Sequence, residues 1–221
     1  MPVDHADLVT LANPRSQVAE AFRTLRTNIQ LSSLDRPVRS LLVTSAGSDE
    51  GKSTTLANLG VAFAQAGTRT LLVDCDLRRP SLHALFGVAN ERGLTSMLLG
   101  EERGPSPIVA TPVEGLRLLP CGPLPPNPSE ILGSQRFQTL VAGLQSEADL
   151  LLFDCPPALA VSDAAVLSRH VEAVLLVASA GKTKRDHAAR ARQALERAGA
   201  RILGVVLNNA RVDAAVYSYY A

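Results

Sequence analysis

Five short apolar runs do most to restrict the folds open to this chain: SLLVTS from Ser40, TLLVDCD from Thr70, DLLLFD from Asp149, AVLLVA from Ala173 and RILGVVLN from Arg201. Each is apolar almost without alternation, so each needs cover on both faces. Helical patterns at 53–66, 129–147 and 183–198 lie between them and can supply that cover. Such alternation predicts an α/β fold with a mostly parallel central sheet flanked by helices. A further short strand is expected at LRLLP from Leu116. It lies in a stretch, Gly104 to Pro128, that holds eight of the fourteen prolines and reads as an irregular connection. With 221 residues and 46% hydrophobic content, a single domain over 1–221 is the expectation.

Ahead of the first strand, NPRSQVAEAFRTLRTNIQL predicts a helix with Asn13 as N-cap, Pro14 at the first helical position, and Val18, Phe22, Leu25 and Ile29 as its apolar stripe. Formal net charge is +1, so no whole-chain field selects nucleic acid, and none is expected as a partner. Cys75, Cys121 and Cys155 are odd in number and lack metal-ligand spacing, and they read as reduced, buried thiols. No apolar run approaches the ~18 residues of a spanning helix, so a membrane role calls for a partner.

The first apolar run is followed by TSAGSDEGKSTTLANLG. From Ala46 it reads A-x-x-x-x-G-K-S, a P-loop between a strand and a helix, with alanine in the first glycine position. The candidate nucleotide-binding segment is therefore Ala46, Gly47, Ser48, Asp49, Glu50, Gly51, Lys52, Ser53 and Thr54. Backbone N–H groups at the helix start can wrap phosphates, Lys52 adds a point charge, and the Ser53 hydroxyl can ligate Mg²⁺. In LLVDCDLRRP, Asp74 and Asp76 are two apart and share a face, so they repel each other without a cation. Asp154 ends another buried strand in LLLFDCPP, in the manner of an aspartate that holds Mg²⁺ through water. A P-loop and three acids at strand ends describe one Mg-nucleotide site. Arg78 or Arg79 can neutralise charge there or form a surface ion pair.

This ordered set resembles the bacterial tyrosine kinases of the capsular and exopolysaccharide type, a P-loop family often called BY-kinases. EAFRTLRTN carries that family's E-x-x-R-x-x-R pattern at Glu20, Arg23 and Arg26, GPLPPNPSEIL from Gly122 is similar to another of its segments, and the tail VYSYYA supplies a tyrosine cluster. The resemblance implies a protein-tyrosine autokinase that takes ATP and Mg²⁺, with Lys52 and Ser53 on the phosphates, Ser53, Asp76 and Asp154 on the metal, and Asp74 as the base. It also implies a homo-oligomeric ring built through the N-terminal helix region 1–36. A flexible tail, 209–221, would be phosphorylated at Tyr217, Tyr219 and Tyr220 in the neighbouring subunit's site. The expected role is control of polysaccharide polymerisation and export, with a transmembrane activator or co-polymerase as partner, and a cytoplasmic location at the inner face of the cell membrane.

Two features depart from the family pattern. Ser48-Asp49 stands where many members have Pro-Gly, which puts an acid beside the phosphates, and three tyrosines are fewer than usual. Plainer readings stay open for two charged stretches. Glu20 and Arg23 can pair within one helix, and the seven cations of GKTKRDHAARARQALERAGAR can form a solvated face, or meet a membrane leaflet or an activator. A positioning ATPase of the ParA/MinD kind would share the P-loop, but would generally carry a second lysine early in it. A non-catalytic nucleotide-binding export regulator is the other alternative.

Overall fold

In the computed structural model, residues 8–100 and 105–210 are described. Seven strands form one sheet: β1 (Ser40–Ser45), β2 (Thr70–Asp74), β3 (Val109–Ala110), β4 (Leu116–Leu119), β5 (Leu150–Asp154), β6 (Ala173–Ser179) and β7 (Ile202–Asn208). Their order is β3-β4-β2-β5-β1-β6-β7, parallel throughout except for the antiparallel pair β3–β4. All five apolar runs are strands, and so is the stretch at Leu116. The two-residue β3 at the sheet edge was not legible in the proline-rich segment.

Side chains of the inner strands alternate between two cores, whereas the edge strand β7 is not covered on both faces as its apolar run suggested, and its Val205 and Leu207 are exposed. Leu41 and Val43 pack on one face with Leu56 and Leu59 of α3 (Lys52–Gln65), while Leu42 faces the other side with Phe153, Phe137 of α7 (Gln135–Leu144) and Leu195 of α9 (Arg185–Arg197). Each such side chain is fully buried and stabilises the fold by about 1.5–3 kcal/mol. Gly60 lets α3 lie close on the sheet, since a Cβ there would stand 2.7 Å from Leu72 Cδ2.

The N-terminal segment departs from its sequence reading. A short α1 (Val9–Ala12) comes first, pinned by the fully buried Thr10, whose N–H and hydroxyl donate to Asn58 Oδ1 at 2.9 and 2.7 Å. Asn13 closes α1 rather than opening the next helix, with its N–H on the Val9 carbonyl. Helix α2 (Gln17–Leu31) is capped instead by Ser16, whose Oγ accepts from the Ala19 N–H at 3.1 Å. Ile29 is buried and Leu25 packs partly on the core, but Val18 is 50% exposed and drops out of the apolar stripe.

The helix expected over 129–147 is two, α6 (Pro128–Leu132) and α7. Between them Ser134 caps α7 by accepting the Phe137 N–H at 3.2 Å, and Ser129 on α6 donates its hydroxyl to the buried Asp163 on α8 (Asp163–Leu167). That anchor and the cap fix two helix directions where periodicity alone suggested one. Short α4 (Leu82–Phe86) follows β2, and α5 (Leu94–Leu99) precedes β3.

Candidate active site

The carboxyl ends of β1, β2 and β5 meet side by side, with Asp74 in register with Asp154 and Val43 in register with the same Asp154. The P-loop joins β1 to α3 above them. Gly51 precedes α3, and no side chain caps its first N–H groups, which stay available for an anion. Lys52 Nζ sits 2.9 Å from Asp76 Oδ2 and 3.6 Å from Asp154 Oδ1, and donates to Ser53 Oγ at 3.0 Å. The Ser53 hydroxyl donates to Asp154 Oδ2 at 2.5 Å. Sequence-distant Lys52, Ser53, Asp76 and Asp154 thus form one cluster.

An open cleft of about 240 Å³ runs over this cluster, lined by Ser48, Asp49, Gly51, Lys52, Ser53, Thr54, Asp76, Arg79, Ser81 and Pro157. It is smaller than the ~300–1,000 Å³ typical of pockets that enclose a whole ligand, and it suits a phosphate chain. Ala46, Gly47 and Glu50 do not line it. Ala46 joins the core, and the buried Glu50 carboxylate accepts from the Gly47 N–H at 3.0 Å and the Thr183 hydroxyl at 2.6 Å. Glu50 therefore shapes the loop from behind.

Asp74 also lies behind the cleft. It is fully buried and accepts backbone N–H groups from Asp76 at 3.2 Å, Ser81 at 3.2 Å and Leu82 at 3.1 Å, holding the turn that leads into α4. Burial, with the charge of Asp154, pushes its carboxyl up to about 8. Asp154 is raised as well, chiefly by burial and in spite of Lys52 and Ser53. Burial pushes Lys52 down, but Asp154 and Asp76 outweigh it and hold the ammonium above its ordinary range.

Asp76 and Asp154 set two carboxylates against the one ammonium of Lys52, with buried Asp74 behind them, an excess of negative charge that a divalent cation would offset. Asp154 Oδ1 is buried and, among the described residues, has no hydrogen-bond donor, only the Lys52 ammonium at 3.6 Å, so a metal-bound water would satisfy it. Among the described residues no cluster of three or more His, Cys, Asp or Glu side chains forms a metal cage. Mg²⁺ needs none, because it is held by one or two carboxylates together with substrate phosphates. The donor set fits Mg-nucleotide.

Asp49 has φ +55, in the left-handed region that glycine favours. Its carbonyl is held by Lys182 Nζ at 2.7 Å, and the next carbonyl, that of Glu50, accepts from Asn208 Nδ2 at 3.1 Å. At Gly51, φ +87, a Cβ would lie 2.0 Å from the same Asn208 nitrogen. Replacing Asp49 with glycine is expected to relieve backbone strain and to remove an acid from the cleft. The charge alone is worth roughly 1 kcal/mol, so Mg-ADP should bind about fivefold tighter by titration calorimetry. Unchanged affinity would show that the acid points away from the phosphates.

The two arginines after β2 diverge. Arg78 pairs with the fully buried Asp163, Nε to Oδ2 at 2.9 Å and Nη2 to Oδ1 at 3.1 Å, while Arg79 lines the cleft. On α2, exposed Glu20 pairs with half-buried Arg23 at 3.3 Å, but Arg26 turns inward and donates to the Ala62 carbonyl of α3 at 3.1 Å. Tyr217, Tyr219 and Tyr220 lie outside the described residues. Sequence reading missed Ser81, Pro157, Asp163, Lys182, Thr183 and Asn208. Pro157, Lys182, Thr183 and Asn208 lie at or just past the ends of β5, β6 and β7, so a search of every strand's carboxyl end would have found them.

Fold and site together define a P-loop nucleotide-binding domain. Residues 41–218 match the CobQ/CobB/MinD/ParA nucleotide binding domain family. The chain is 40% identical over 215 residues to Tyrosine-protein kinase YwqD of Bacillus subtilis (strain 168), covering 97% of this chain and 91% of that one. It superposes on the chimerical protein CapA2B2 with a TM-score of 0.90 and 38% identity, over 94% of this chain and 91% of the other. It is similar, at 27% identity and a TM-score of 0.65 over 76% of this chain and 69% of the other, to the septum site-determining protein MinD of Pyrococcus horikoshii OT3 complexed with Mg-ADP. The chain belongs to the bacterial tyrosine-protein kinase family of YwqD, CapB and CpsD.

Proposed function

We propose that the chain is a Mg-ATP-dependent tyrosine autokinase that phosphorylates Tyr217, Tyr219 and Tyr220 of a neighbouring copy and so regulates capsular or exopolysaccharide export. The observation that carries this reading is the Lys52 ammonium bridging Asp76 and Asp154, with Ser53 bonded to the same Asp154. Bound Mg-ATP supplies a transferable phosphoryl group and a divalent cation. Lys52 and the N–H groups at the start of α3 hold the phosphates, while Ser53, Asp76 and Asp154 hold the cation. The phenolic oxygen forms the new bond to phosphorus, the bond to the leaving diphosphate breaks, and the phenolic proton passes to a carboxylate. Asp74 is our candidate for that carboxylate: burial makes its ionised form a stronger proton acceptor than an ordinary aspartate, and it acts in the fraction that is ionised. It lies behind the cleft, so the Ser81–Leu82 turn that covers it must shift for it to act.

Incubation with Mg-ATP and a CapA-type activator segment, followed by phosphotyrosine detection, tests the reading, with the Asp154→Asn variant as control. Tyrosine phosphate on the wild type and none on the variant is the expected result. Equal signal, or none on either, contradicts it.

The ring is proposed through α2. Glu20 is the exposed member of its charged pattern; half-buried Arg23 donates to the Pro14 carbonyl as well as pairing with Glu20, and Arg26 turns inward to Ala62. Arg23→Ala is expected to lower the oligomer mass at only a small cost in thermal stability, since its bonds to Pro14 and Glu20 are open to solvent. Arg26→Ala should in addition cost about 1 kcal/mol of folding stability, because a partly buried bond to Ala62 is lost. Light scattering and thermal unfolding separate the two. A membrane-spanning activator of the CapA kind is the proposed partner, and a place at the inner membrane face follows from it. Among the described residues no helix is long and apolar enough to cross a membrane.

A further inference from the structure

Arg78 and Arg79 leave β2 in opposite directions. The side chain of Arg78 is taken up by Asp163 and Ser129 and holds α6 and α8 beside the site. Arg79 is exposed and lines the cleft, and its guanidinium has no hydrogen-bond or ion-pair partner among the described residues. Only one other cation lines that cleft among the described residues, Lys52, and it is already balanced by Asp76 and Asp154. A phosphate chain entering here brings negative charge that the resident groups leave uncompensated, and Arg79 is placed to meet it.

The backbone fixes that position. Asp76 Oδ1 accepts the N–H groups of Arg78 at 3.3 Å and Arg79 at 2.9 Å, while Asp76 Oδ2 pairs with Lys52. One carboxylate thus orders the turn that presents Arg79 and the lysine that meets the phosphates. Arg78's grip on Asp163 anchors the same turn from the far side. Arg79, Ser81 and Pro157 line the same cleft. A planar guanidinium can hold two oxygens of a phosphoryl group at once, which an ammonium cannot.

We propose that Arg79 is a catalytic residue of phosphoryl transfer, binding the terminal phosphoryl group of the nucleotide and offsetting the charge that builds as the group moves to the phenolic oxygen. The inference deepens the kinase reading of the same cleft. No proton moves to or from Arg79. The guanidinium stays protonated throughout, and the bonds made and broken are those of the transfer itself.

The test compares wild type, Arg79→Ala and Arg79→Lys. Because Arg79 is exposed and unpaired, both variants should melt with the wild type. Transfer to tyrosine by Arg79→Ala should fall roughly 10²–10³-fold, in line with the loss of a charge-stabilising donor, and Arg79→Lys should recover part of it. Binding supplies a second readout that is independent of transfer. Mg-ADP affinity should stay within about threefold of wild type, whereas affinity for a non-hydrolysable Mg-ATP analogue should drop about tenfold, erasing the preference for a third phosphate. Transfer by Arg79→Ala within threefold of wild type, or an intact preference for the triphosphate, overturns the proposal. If the wild type transferred nothing while Arg79→Ala still lost that preference, contact with the terminal phosphate would stand, and the kinase reading alone would fall.

Discussion

Lys52→Met is expected to abolish tyrosine phosphorylation, lowering transfer at least 10³-fold. Among the described residues Lys52 is the one cation in contact with both Asp76 and Asp154, so its removal takes a point charge from the phosphates and leaves these carboxylates uncompensated. A preorganised charge in a water-poor site contributes far more to the transition state than one in solvent, and losing a single such donor costs ~10²–10³ in rate even where others remain. Methionine keeps most of the stem, so packing is preserved. The folded protein should survive because burial already raises the pKa of Asp74 and Asp154, so proton uptake by these carboxylates can offset the lost ammonium. Loss of Mg-ADP binding should accompany the loss of transfer, measured by calorimetry on the same preparation. Wild-type affinity in Lys52→Met would mean that the phosphates lie elsewhere.

Arg78→Ala is expected to act on the fold, with an effect almost as large. It strands the fully buried Asp163 carboxylate, and breaking a buried pair in this way costs about 3–5 kcal/mol. Two facts pull toward the lower end: the Arg78 side chain is 38% exposed, so water screens the pair, and the Ser129 hydroxyl still donates to Asp163. A loss of about 3 kcal/mol corresponds to a fall of roughly 6–12 °C in Tm for a chain of this length. Adding Asp163→Asn to Arg78→Ala should recover part of it by removing the stranded charge. If Arg78→Ala melts with the wild type, the pair is not an anchor, and Arg78 regains its claim to a role in the cleft.

The contrast between the neighbouring arginines shows where sequence reading stops. The strands were legible because runs such as Leu150–Asp154 are apolar on both faces, and only a sheet covered on both sides suits them. Lys52, Ser53 and the acids were legible because a P-loop dictates its own geometry and strand ends converge. Asp163 gave no such signal: it opens a helix of five residues, and its partner lies 85 positions earlier. The start of α2 was misplaced for a related reason. Asn13-Pro14 has good capping chemistry, but Thr10 and Asn58 hold α1 in place by tertiary bonds that no local pattern announces. In the same way, the strain at Asp49 becomes intelligible only once Lys182 is seen to hold its carbonyl.

Transfer from the Lys52 site of one copy to the tail of another can be read out directly. Wild-type protein labelled with heavy isotopes should be mixed with unlabelled Lys52→Met, incubated with Mg-ATP and a CapA-type activator segment, and mapped by mass spectrometry. Phosphate on Tyr217, Tyr219 or Tyr220 of the unlabelled chain, appearing only when wild type is present, is the predicted result. An unmodified unlabelled tail, or one modified equally without wild type, would contradict it.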